Sequence, residues 1–390
     1  MDKPELVAIG QFCLGGVLSF YENLLANDDK QIFDKKIILL NAKDQIYSTP
    51  SLNFPDSKYN VFDFSYEENP ADYATRLEKF ISDKEGVILT NFLPELASLH
   101  LFRKQKKTIF YICHDELYFD YAVMYSFLID KYITHNPAMY FSLKKMLPKR
   151  ITDIHYIPYG IEPSKVKKEK RKPEFLNLIF LGRHVLSKGI EDIPKINRIL
   201  IEKKIPIRWT IFGDGRDTKL FRNEMKEFDN VIFKRYGIKE ELFENLKDKD
   251  LMIHPSYLDG LPVGILESMS AGVVPILYEF NTGISKIIKD RTGVVVPSGD
   301  YSAIANAVIK FFNDKDALAE YSQNASSLIQ REYNVKIQAS KYYELFQNFD
   351  QFKRPLKRKF INYYKGWSSH PLMPAVAKKL VRKFKSIKTN

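Results

Sequence analysis

Short apolar runs alternate with longer amphipathic segments through most of this chain. The first series of β-rich runs comprises Leu6–Gly10, Lys36–Asn41, Val61–Phe64, Gly86–Asn91, Thr108–Cys113, Lys131–His135 and His155–Pro158. The second series comprises Leu178–Gly182, Arg208–Gly213, Val231–Phe233, Leu251–His254, Val274–Leu277 and Val294–Val296. Strands that alternate with helices are typical of parallel sheets covered by helices on both faces. The two series therefore predict an α/β protein with two doubly wound domains.

Segments outside these two series complete the predicted organisation. The charged stretch Lys165–Pro173 has little to bury, so we interpret it as an exposed linker, with a nucleic-acid patch as the alternative. Residues 301–349 have a helical pattern, and an apolar face is supplied by Tyr342, Tyr343, Leu345, Phe346 and Phe349. The predicted segments are an N-terminal domain 1–162, a linker 163–175, a C-terminal domain 176–332, a helix 333–350 and a tail 351–390.

The most specific candidate chemistry lies in the segment Asp250–Ile276. A buried strand leads into the Gly/Pro-rich loop Pro255–Gly264, and a helix follows that ends at Gly272. The start of a helix favours an anion such as phosphate, because its unpaired amides and its dipole face that point. Asp259 and Glu267 bracket this point, and carboxylates accept hydrogen bonds from hydroxyls. A ligand with phosphate and sugar, such as a nucleotide-sugar, fits; the alternative is an ordinary connection with two solvated acids.

The residues at this loop-helix junction suit a close approach of the backbone to a ligand. Gly260 and Gly264 lack a side chain, and Pro262 suits the first helical turn because it has no amide to leave unpaired. Together with Leu261 and Val263, they form the predicted donor-binding turn.

The segment resembles the Glu-x7-Glu region of the retaining glycosyltransferases of family four, which have the GT-B fold. Asp259 and Glu267 stand eight positions apart as in that motif, although Asp259 replaces the first Glu, and Gly-Leu-Pro-Val-Gly stands where Gly-Phe-Gly is frequent. The resemblance implies two Rossmann-like domains facing a cleft, with Val335–Phe349 as a crossover helix. It also implies that Glu267 holds the ribose of a nucleotide-sugar and that Asp259 contacts the transferred sugar.

A second motif contains two cations that follow the strand ending at Gly182. Arg183 offers a planar fork and Lys188 a point charge, and the pair can neutralise a diphosphate as charge builds on the leaving group. Without further information, the alternative is that these two cations are exposed and have no role in binding. The resemblance extends to the Gly-Arg…Lys-Gly element of the family, and it implies that both cations bind the phosphates of the donor.

Further positions gain candidate roles from the same resemblance. His114 matches a histidine that touches the donor sugar in the family; without the resemblance, a structural hydrogen-bonding role is the alternative. Gly15 and Gly16 match the glycine-rich loop where donor and acceptor meet. Gly213 and Gly215 match a tight turn that borders the nucleotide.

The excess of positive charge is confined to the C-terminal tail. The net charge is +12, and residues 351–390 contain twelve Lys or Arg and no acid, which leaves 48 basic and 48 acidic groups in the other 350 residues. A nucleic-acid-binding protein more often has a basic face on its folded core, so no nucleic acid is expected. Helical spacing relates Phe352, Leu356, Phe360 and Tyr363, and likewise Val376, Leu380, Phe384 and Ile387. This pattern is typical of an interfacial helix and predicts an anionic membrane as partner; packing on the N-terminal domain or a macromolecular partner are the alternatives.

Several other classes of protein lack support in the sequence. There is no zinc signature, no nucleophile elbow and no phosphate-binding loop ending in Gly-Lys-Ser/Thr, and the two cysteines lack metal-ligand spacing. Since GT-B enzymes do not generally need a divalent metal, we expect neither a metal nor a cofactor. No signal segment or apolar run of about 18–20 residues is found, so the expected location is cytoplasmic, at the inner face of the membrane.

The sequence thus predicts a retaining hexosyltransferase. Its donor is a nucleotide-sugar, with a UDP-sugar favoured over GDP-mannose, and its acceptor is a hydroxyl of a lipid-linked or cell-surface glycan in polysaccharide or lipopolysaccharide biosynthesis. The alternatives are a GT-B phosphorylase, a sugar-nucleotide epimerase and a non-enzymatic basic membrane-binding protein.

Overall fold

The computed structural model describes most of the chain, with gaps. The described residues are 3–12, 16–44, 59–102, 106–115, 118–164, 174–234, 239–259, 262–280, 287–289 and 291–355. They divide into two compact units. The N-terminal unit contains the residues up to 135, residues 139–157 and the residues from 339 onward, and the C-terminal unit contains residues 136–138 and 158–338.

The N-terminal unit contains a seven-stranded parallel sheet. Its strands are β1 (Glu5–Gln11), β2 (Asp34–Ala42), β3 (Tyr59–Phe64), β4 (Gly86–Thr90), β5 (Thr108–Cys113), β6 (Lys131–Thr134) and β7 (Ile154–Tyr156). They lie in the order β3-β2-β1-β4-β5-β6-β7. The helices between them are α1 (Gly16–Ala26), α2 (Pro70–Glu78), α3 (Leu93–Leu101), α4 (Phe119–Met124) and α5 (Pro137–Met146). β4 and β5 are buried along their whole length, which explains why they read as continuous apolar runs.

The C-terminal unit repeats this architecture with six parallel strands. They are β8 (Leu176–Leu181), β9 (Ile207–Phe212), β10 (Val231–Lys234), β11 (Leu251–His254), β12 (Val274–Tyr278) and β13 (Val294–Val296), in the order β10-β9-β8-β11-β12-β13. The helices are α6 (Asp192–Glu202), α7 (Thr218–Met225), α8 (Lys239–Leu246), α9 (Val263–Ser270), α10 (Tyr301–Asn313) and α11 (Lys315–Glu332). Every strand predicted from the sequence is present, and so are the two doubly wound sheets.

Each sheet reverses its strand order once. The chain builds outward from the first strand in one direction and then returns to its other side, so β1 lies beside β4 and β8 beside β11. In open parallel sheets, ligands bind outside the carboxyl ends of the strands at such a reversal. The loops that follow β8 and β11 carry the most specific candidate residues, and the topology places them next to each other.

From residue 339 onward, the C-terminal helices pack within the N-terminal unit, as expected of a crossover helix. They are α12 (Val335–Phe346) and α13 (Phe349–Phe352). The ring of Phe346 lies 4.9 Å from that of Phe110 in β5, and the Tyr343 hydroxyl donates a hydrogen bond to the Leu24 carbonyl. The predicted apolar face of this segment is therefore buried at Tyr342, Tyr343 and Phe346, with Leu345 half-buried at its edge.

Parts of the predicted organisation lie outside the residues that the structure describes. Most of the predicted linker (165–173) and of the tail (356–390) lies outside the described residues. Among the residues that are described, no helix is long and apolar enough to cross a bilayer. That the two domains face each other across a cleft remains a prediction.

Candidate functional site in the C-terminal domain

The loops after β8 and β11 are joined by direct hydrogen bonds. The loop after β8 contains a 3-10 turn, Leu186–Lys188. The Tyr257 amide donates to the Ser187 carbonyl at 3.0 Å, and the Lys188 ammonium donates to the Leu258 carbonyl at 3.2 Å. The two motifs identified in the sequence, about seventy residues apart, thus form one structural unit.

Gly189 makes this approach of the two loops possible. It has a φ of +68°, and a Cβ atom there would lie 1.8 Å from the Pro255 carbonyl oxygen. A side chain is therefore excluded both by the left-handed backbone and by the neighbouring loop. Helix α6 begins only at Asp192, slightly later than the predicted start near Gly189, because the 3-10 turn and this left-handed residue come first.

Lys188 and Asp259 form an ion pair. The distance from Lys188 Nζ to Asp259 Oδ2 is 2.6 Å, and His254 Nε2 lies 2.9 Å from the same oxygen. Burial alone would raise the pKa of Asp259, but the hydrogen bond from His254 and the ammonium of Lys188 lower it to about 2. Asp259 is therefore ionised at neutral pH.

The sequence does not predict this contact, because it assigns Lys188 to the phosphates and Asp259 to the sugar. His254 appears there only as the last residue of a predicted strand. A histidine that ends a buried strand five residues before an acid in a tight loop is the signal that could have identified it.

The other two charged candidates have different environments. Arg183 is exposed, and its side chain forms no ion pair with the described residues. Glu267 is 3% exposed and lies in the second turn of α9. Arg183 is thus accessible to an anion from solvent, whereas Glu267 is held within the helix next to the loop.

The start of α9 lies against the end of β8. Pro262 is the N-cap, with an extended ψ of 105°, so it stands just before the helix and not in its first turn as expected; Val263 is the first helical residue. A Cβ atom on Gly264 would lie 2.8 Å from Leu181 Cδ2, which explains the glycine by packing. At the other end, Gly272 (φ +73°) ends the helix as predicted. Gly260 and Leu261 lie outside the described residues.

Glycines after β9 let the loop that follows this strand pack against the loop after β8. Gly213 has a φ of +130°, and a Cβ atom there would lie 1.9 Å from the Gly182 carbonyl oxygen. A Cβ atom on Gly215 would lie 2.5 Å from the carbonyl oxygen of His184. The buried His184 ring in turn contacts the Thr218 hydroxyl at 3.0 Å through Nδ1. A tight turn is therefore formed here, and its position beside a nucleotide remains a prediction.

In the N-terminal unit, His114 follows β5 as expected. It is half-buried, with Nδ1 3.2 Å from Nε2 of His135. Burial, and then the proximity of His135, lower the pKa of His114 well below its usual value. His114 is therefore a neutral imidazole at physiological pH. Gly16 is the first residue of α1, whereas Gly15 lies outside the described residues.

Glu95 is an unusual buried acid at the strand-order reversal of the N-terminal sheet, and it was not singled out from the sequence. Its Oε2 accepts hydrogen bonds from the Thr90 hydroxyl at 2.6 Å, the Asn91 amide at 2.6 Å and the Phe92 amide at 3.1 Å. Burial raises the pKa of Glu95 to about 8, although these hydrogen bonds act in the opposite direction. The signal that could have identified it is a Glu three residues after a helix N-cap.

No group of three or more His, Cys, Asp or Glu side chains in the described part of the chain is arranged to hold a metal ion. That the protein needs no metal or cofactor remains a prediction.

Comparisons with known proteins bear on this site. The model of the family described as glycosyl transferases group 1 matches residues 162–328, which span the loops after β8 and β11. A glycosyltransferase of Escherichia coli K12 named for colanic acid biosynthesis (WcaL) is 25% identical over 173 residues, 42% of each chain. The E. coli UDP-Gal:alpha-D-GlcNAc-diphosphoundecaprenol alpha-1,3-galactosyltransferase is 26% identical over 144 residues, 35% of this chain and 36% of that one. The chain thus matches less than half the length of these relatives.

The fold is shared with solved structures. The structure of Anabaena HepE in complex with UDP and glucose matches with a TM-score of 0.70 and 13% identity, over 88% of this chain and all of that chain. The structural neighbours are GT-B glycosyltransferases, so the two Rossmann-like domains are those of the GT-B fold. The family match over residues 162–328 and the relatives named glycosyltransferases support a group 1 glycosyltransferase.

The close approach at Gly189 can be tested by stability. We expect Gly189→Ala to lower the free energy of unfolding by about 2–5 kcal/mol, since it adds a left-handed alanine and an overlap with the Pro255 carbonyl. Gly299→Ala is the control, because Gly299 is also left-handed (φ +82°) but its Cβ would meet only Tyr257 at 3.9 Å. We expect Gly299→Ala to lower the free energy of unfolding by about 1–2 kcal/mol. Equal costs in urea unfolding would show that the two loops can move apart.

The buried Glu95 predicts a pH dependence of stability. Its raised pKa means that the folded state keeps a proton that the unfolded state loses above about pH 4.5. The resulting stabilisation is complete below that pH and is lost as the pH rises towards 8. Glu95→Gln keeps a carbonyl oxygen for the three donors but cannot ionise. We therefore expect the stability of the wild type relative to Glu95→Gln to decline between pH 5 and pH 8 in urea titrations. If the difference in unfolding free energy between the wild type and Glu95→Gln does not change with pH, this prediction is wrong.

Proposed function

We propose that this protein is a retaining hexosyltransferase that moves a sugar from a nucleotide-sugar to a hydroxyl. One observation carries the proposal: the reversal of strand order between β8 and β11 brings a cationic loop, an ionised Asp259 and the start of α9 together. Cations and helix-start amides suit a diphosphate, and carboxylates suit sugar hydroxyls. The family match over residues 162–328 supports this assignment.

Each charged residue has a separate role in this proposal. Arg183 and Lys188 stabilise the departing diphosphate, assisted by the amides of Val263 and Gly264. Glu267 holds the ribose. Asp259 contacts the transferred sugar, and His114 of the N-terminal domain contacts the same sugar.

The Lys188–Asp259 ion pair indicates how a donor competes for the site. A diphosphate that enters beside Lys188 offers the ammonium a second anionic partner. Asp259 keeps its hydrogen bond from His254 when Lys188 turns to the phosphate. The pair thus provides a charge-neutral resting state, and donor binding exposes the Asp259 carboxylate to sugar hydroxyls.

The finer points of the proposal depend on the relatives. A UDP-sugar is favoured over GDP-mannose as donor, because one relative is named for UDP-Gal and a structural neighbour was solved with UDP and glucose. The same relative is named for a diphosphoundecaprenol-linked acceptor, and another for colanic acid biosynthesis. We therefore propose a lipid-linked or cell-surface glycan as acceptor, in polysaccharide or lipopolysaccharide biosynthesis. Retention of configuration rests on the resemblance at Asp259 and Glu267.

Substitution of two residues tests the proposed activity. We expect Lys188→Ala and Glu267→Ala each to lower kcat by about 100-fold or more, since a preorganised charge or hydrogen-bonding group is lost. The measurement is release of nucleoside diphosphate from a panel of UDP-sugars with a lipid-linked acceptor. Lys203→Ala is the control, because Lys203 is an exposed cation at the end of α6. Turnover of either variant within a few-fold of the wild type, with the fold intact, would refute the assignment.

We also propose that the tail binds an anionic membrane from the cytoplasmic side. Its first residues contact the N-terminal unit: the Arg354 amide donates to Asp130 Oδ1 at 3.0 Å, and Lys353 donates to the Lys107 carbonyl. The ten Lys or Arg in residues 356–390 follow this anchored segment. Each cation near an anionic leaflet contributes about 1 kcal/mol to the free energy of membrane binding.

Truncation after Pro355 tests the role of the tail. It removes the basic residues but keeps the contacts of Lys353 and Arg354. We expect the truncated protein to lose co-sedimentation with phosphatidylglycerol vesicles, whereas neither protein should sediment with phosphatidylcholine vesicles. Undiminished binding of the truncated protein to anionic vesicles excludes this role.

A further inference from the structure

Hydrogen bonds join three side chains, those of Tyr342, His135 and His114, in a row. Nδ1 of His114 is 3.2 Å from Nε2 of His135, and Nδ1 of His135 is 3.1 Å from the Tyr342 hydroxyl. The Tyr342 hydroxyl donates to the Ile157 carbonyl at 3.2 Å, and Nδ1 of His135 is 3.4 Å from the same oxygen. His135 and Tyr342 are each 1% exposed. The row therefore starts at a backbone carbonyl and ends at His114.

The two imidazoles in this row are neutral. The neighbouring rings are those of Phe20 and Tyr21, which carry no charge at neutral pH. Burial lowers the pKa of His135 to about 4, although the Ile157 carbonyl acts in the opposite direction. Each ring therefore has one N–H donor and one acceptor nitrogen, and the partners decide which nitrogen carries the proton.

The Ile157 carbonyl determines the direction of the hydrogen bonds, because it can only accept. When Nδ1 of His135 carries the proton, it donates to the Tyr342 oxygen or to the Ile157 carbonyl, and the Tyr342 hydroxyl also donates to that carbonyl. Nε2 of His135 then accepts from Nδ1–H of His114. In the opposite arrangement, the Tyr342 proton turns to His135, the carbonyl loses both donors, and a nitrogen lone pair faces it. The first arrangement satisfies more polar groups.

We infer that His135 and Tyr342 are positioning residues that hold His114 in its Nδ1–H tautomer, so that Nε2 of His114 presents a lone pair to the substrate. This nitrogen is buried and has no hydrogen-bond partner among the described residues. A lone pair accepts a hydrogen bond from a hydroxyl, but it cannot donate one to a phosphate or to a glycosidic oxygen. The inference rests on the proposed function only for the identity of the ligand, a sugar hydroxyl.

This assignment restricts the chemistry of His114. A neutral imidazole that presents a lone pair can orient a sugar hydroxyl but has no proton for a leaving group. Stabilisation of the departing diphosphate is then left to Arg183 and Lys188. The site should accordingly prefer a sugar that has a hydroxyl within reach of His114 over the corresponding deoxy sugar, since a site built to accept a hydrogen bond discriminates against a ligand that cannot donate it.

Nitrogen-15 NMR of the histidine side chains tests the tautomer without any substrate. In the full-length wild type at pH 7, we expect protonated Nδ1 and unprotonated Nε2 in both His114 and His135. Tyr342→Phe should keep this pattern, because the Ile157 carbonyl still accepts from Nδ1–H of His135. Protonated Nε2 on His114 in the wild type overturns the inference, whether or not the protein transfers sugar.

A matched pair of variants tests the positioning role in transfer. His135→Gln keeps a carbonyl oxygen that can accept from His114 Nδ1–H, whereas His135→Leu removes the acceptor. We expect a mixed tautomer of His114 and about a tenfold lower kcat in His135→Leu than in His135→Gln, a loss comparable to that caused by removing the partner that orients a metal-bound histidine. Equal kcat and equal NMR patterns in two folded variants contradict the role. If His135→Leu does not fold, the wild-type NMR spectrum decides.

If neither the wild type nor His135→Gln transfers sugar while the spectra show the expected tautomer, the proposed function fails and the hydrogen-bond row stands.

Discussion

The adjacency of β8 and β11 is the constraint on which the candidate site depends. Because these strands are neighbours at the point of strand-order reversal, the loops that follow them emerge at one edge of the sheet. Gly189 then allows the first loop to lie against the Pro255 carbonyl of the second. This contact places Lys188 within 2.6 Å of Asp259. A fold without this reversal would hold the same residues far apart.

Lys188 and Asp259 carry opposite charges at this edge. Asp259 is ionised because His254 and Lys188 share its Oδ2, and the half-buried carboxylate in turn holds the ammonium in place. Removing one partner of such a pair costs more than the pair contributes, since the other charge is left buried. In the proposed function, a diphosphate replaces Asp259 as the partner of Lys188. The arrangement therefore suits reversible binding of an anionic donor.

The local elements could be predicted because their signals lie within a few residues of one another. The strand limits Thr108–Cys113 and Leu251–His254 were identical to those observed, and Gly272 ended its helix as expected. The contact between Lys188 and Asp259 was missed because it joins residues 71 positions apart whose roles had been assigned separately. The contact of His135 with Tyr342 spans 207 positions. This second contact follows from the packing of α12 from residue 339 onward within the N-terminal unit, which no periodicity of apolar residues specifies.

The protonation of Glu95 is a second property that the sequence alone does not predict. Its spacing from the helix N-cap is visible in the sequence, but its ionisation state depends on burial at the reversal point of the first sheet. Burial of a single acid is a tertiary property, and acids are mostly exposed.

The proposed function requires that the loops after β8 and β11 bind the diphosphate of a nucleotide-sugar. Calorimetric titration of the folded protein with UDP-, GDP-, ADP- and dTDP-linked hexoses measures this binding. We expect saturable one-site binding of at least one of them, which Arg183→Ala weakens by about tenfold, as expected for loss of a charge-assisted contact. Absence of binding to all four classes, or equal affinity in Arg183→Ala, would contradict it.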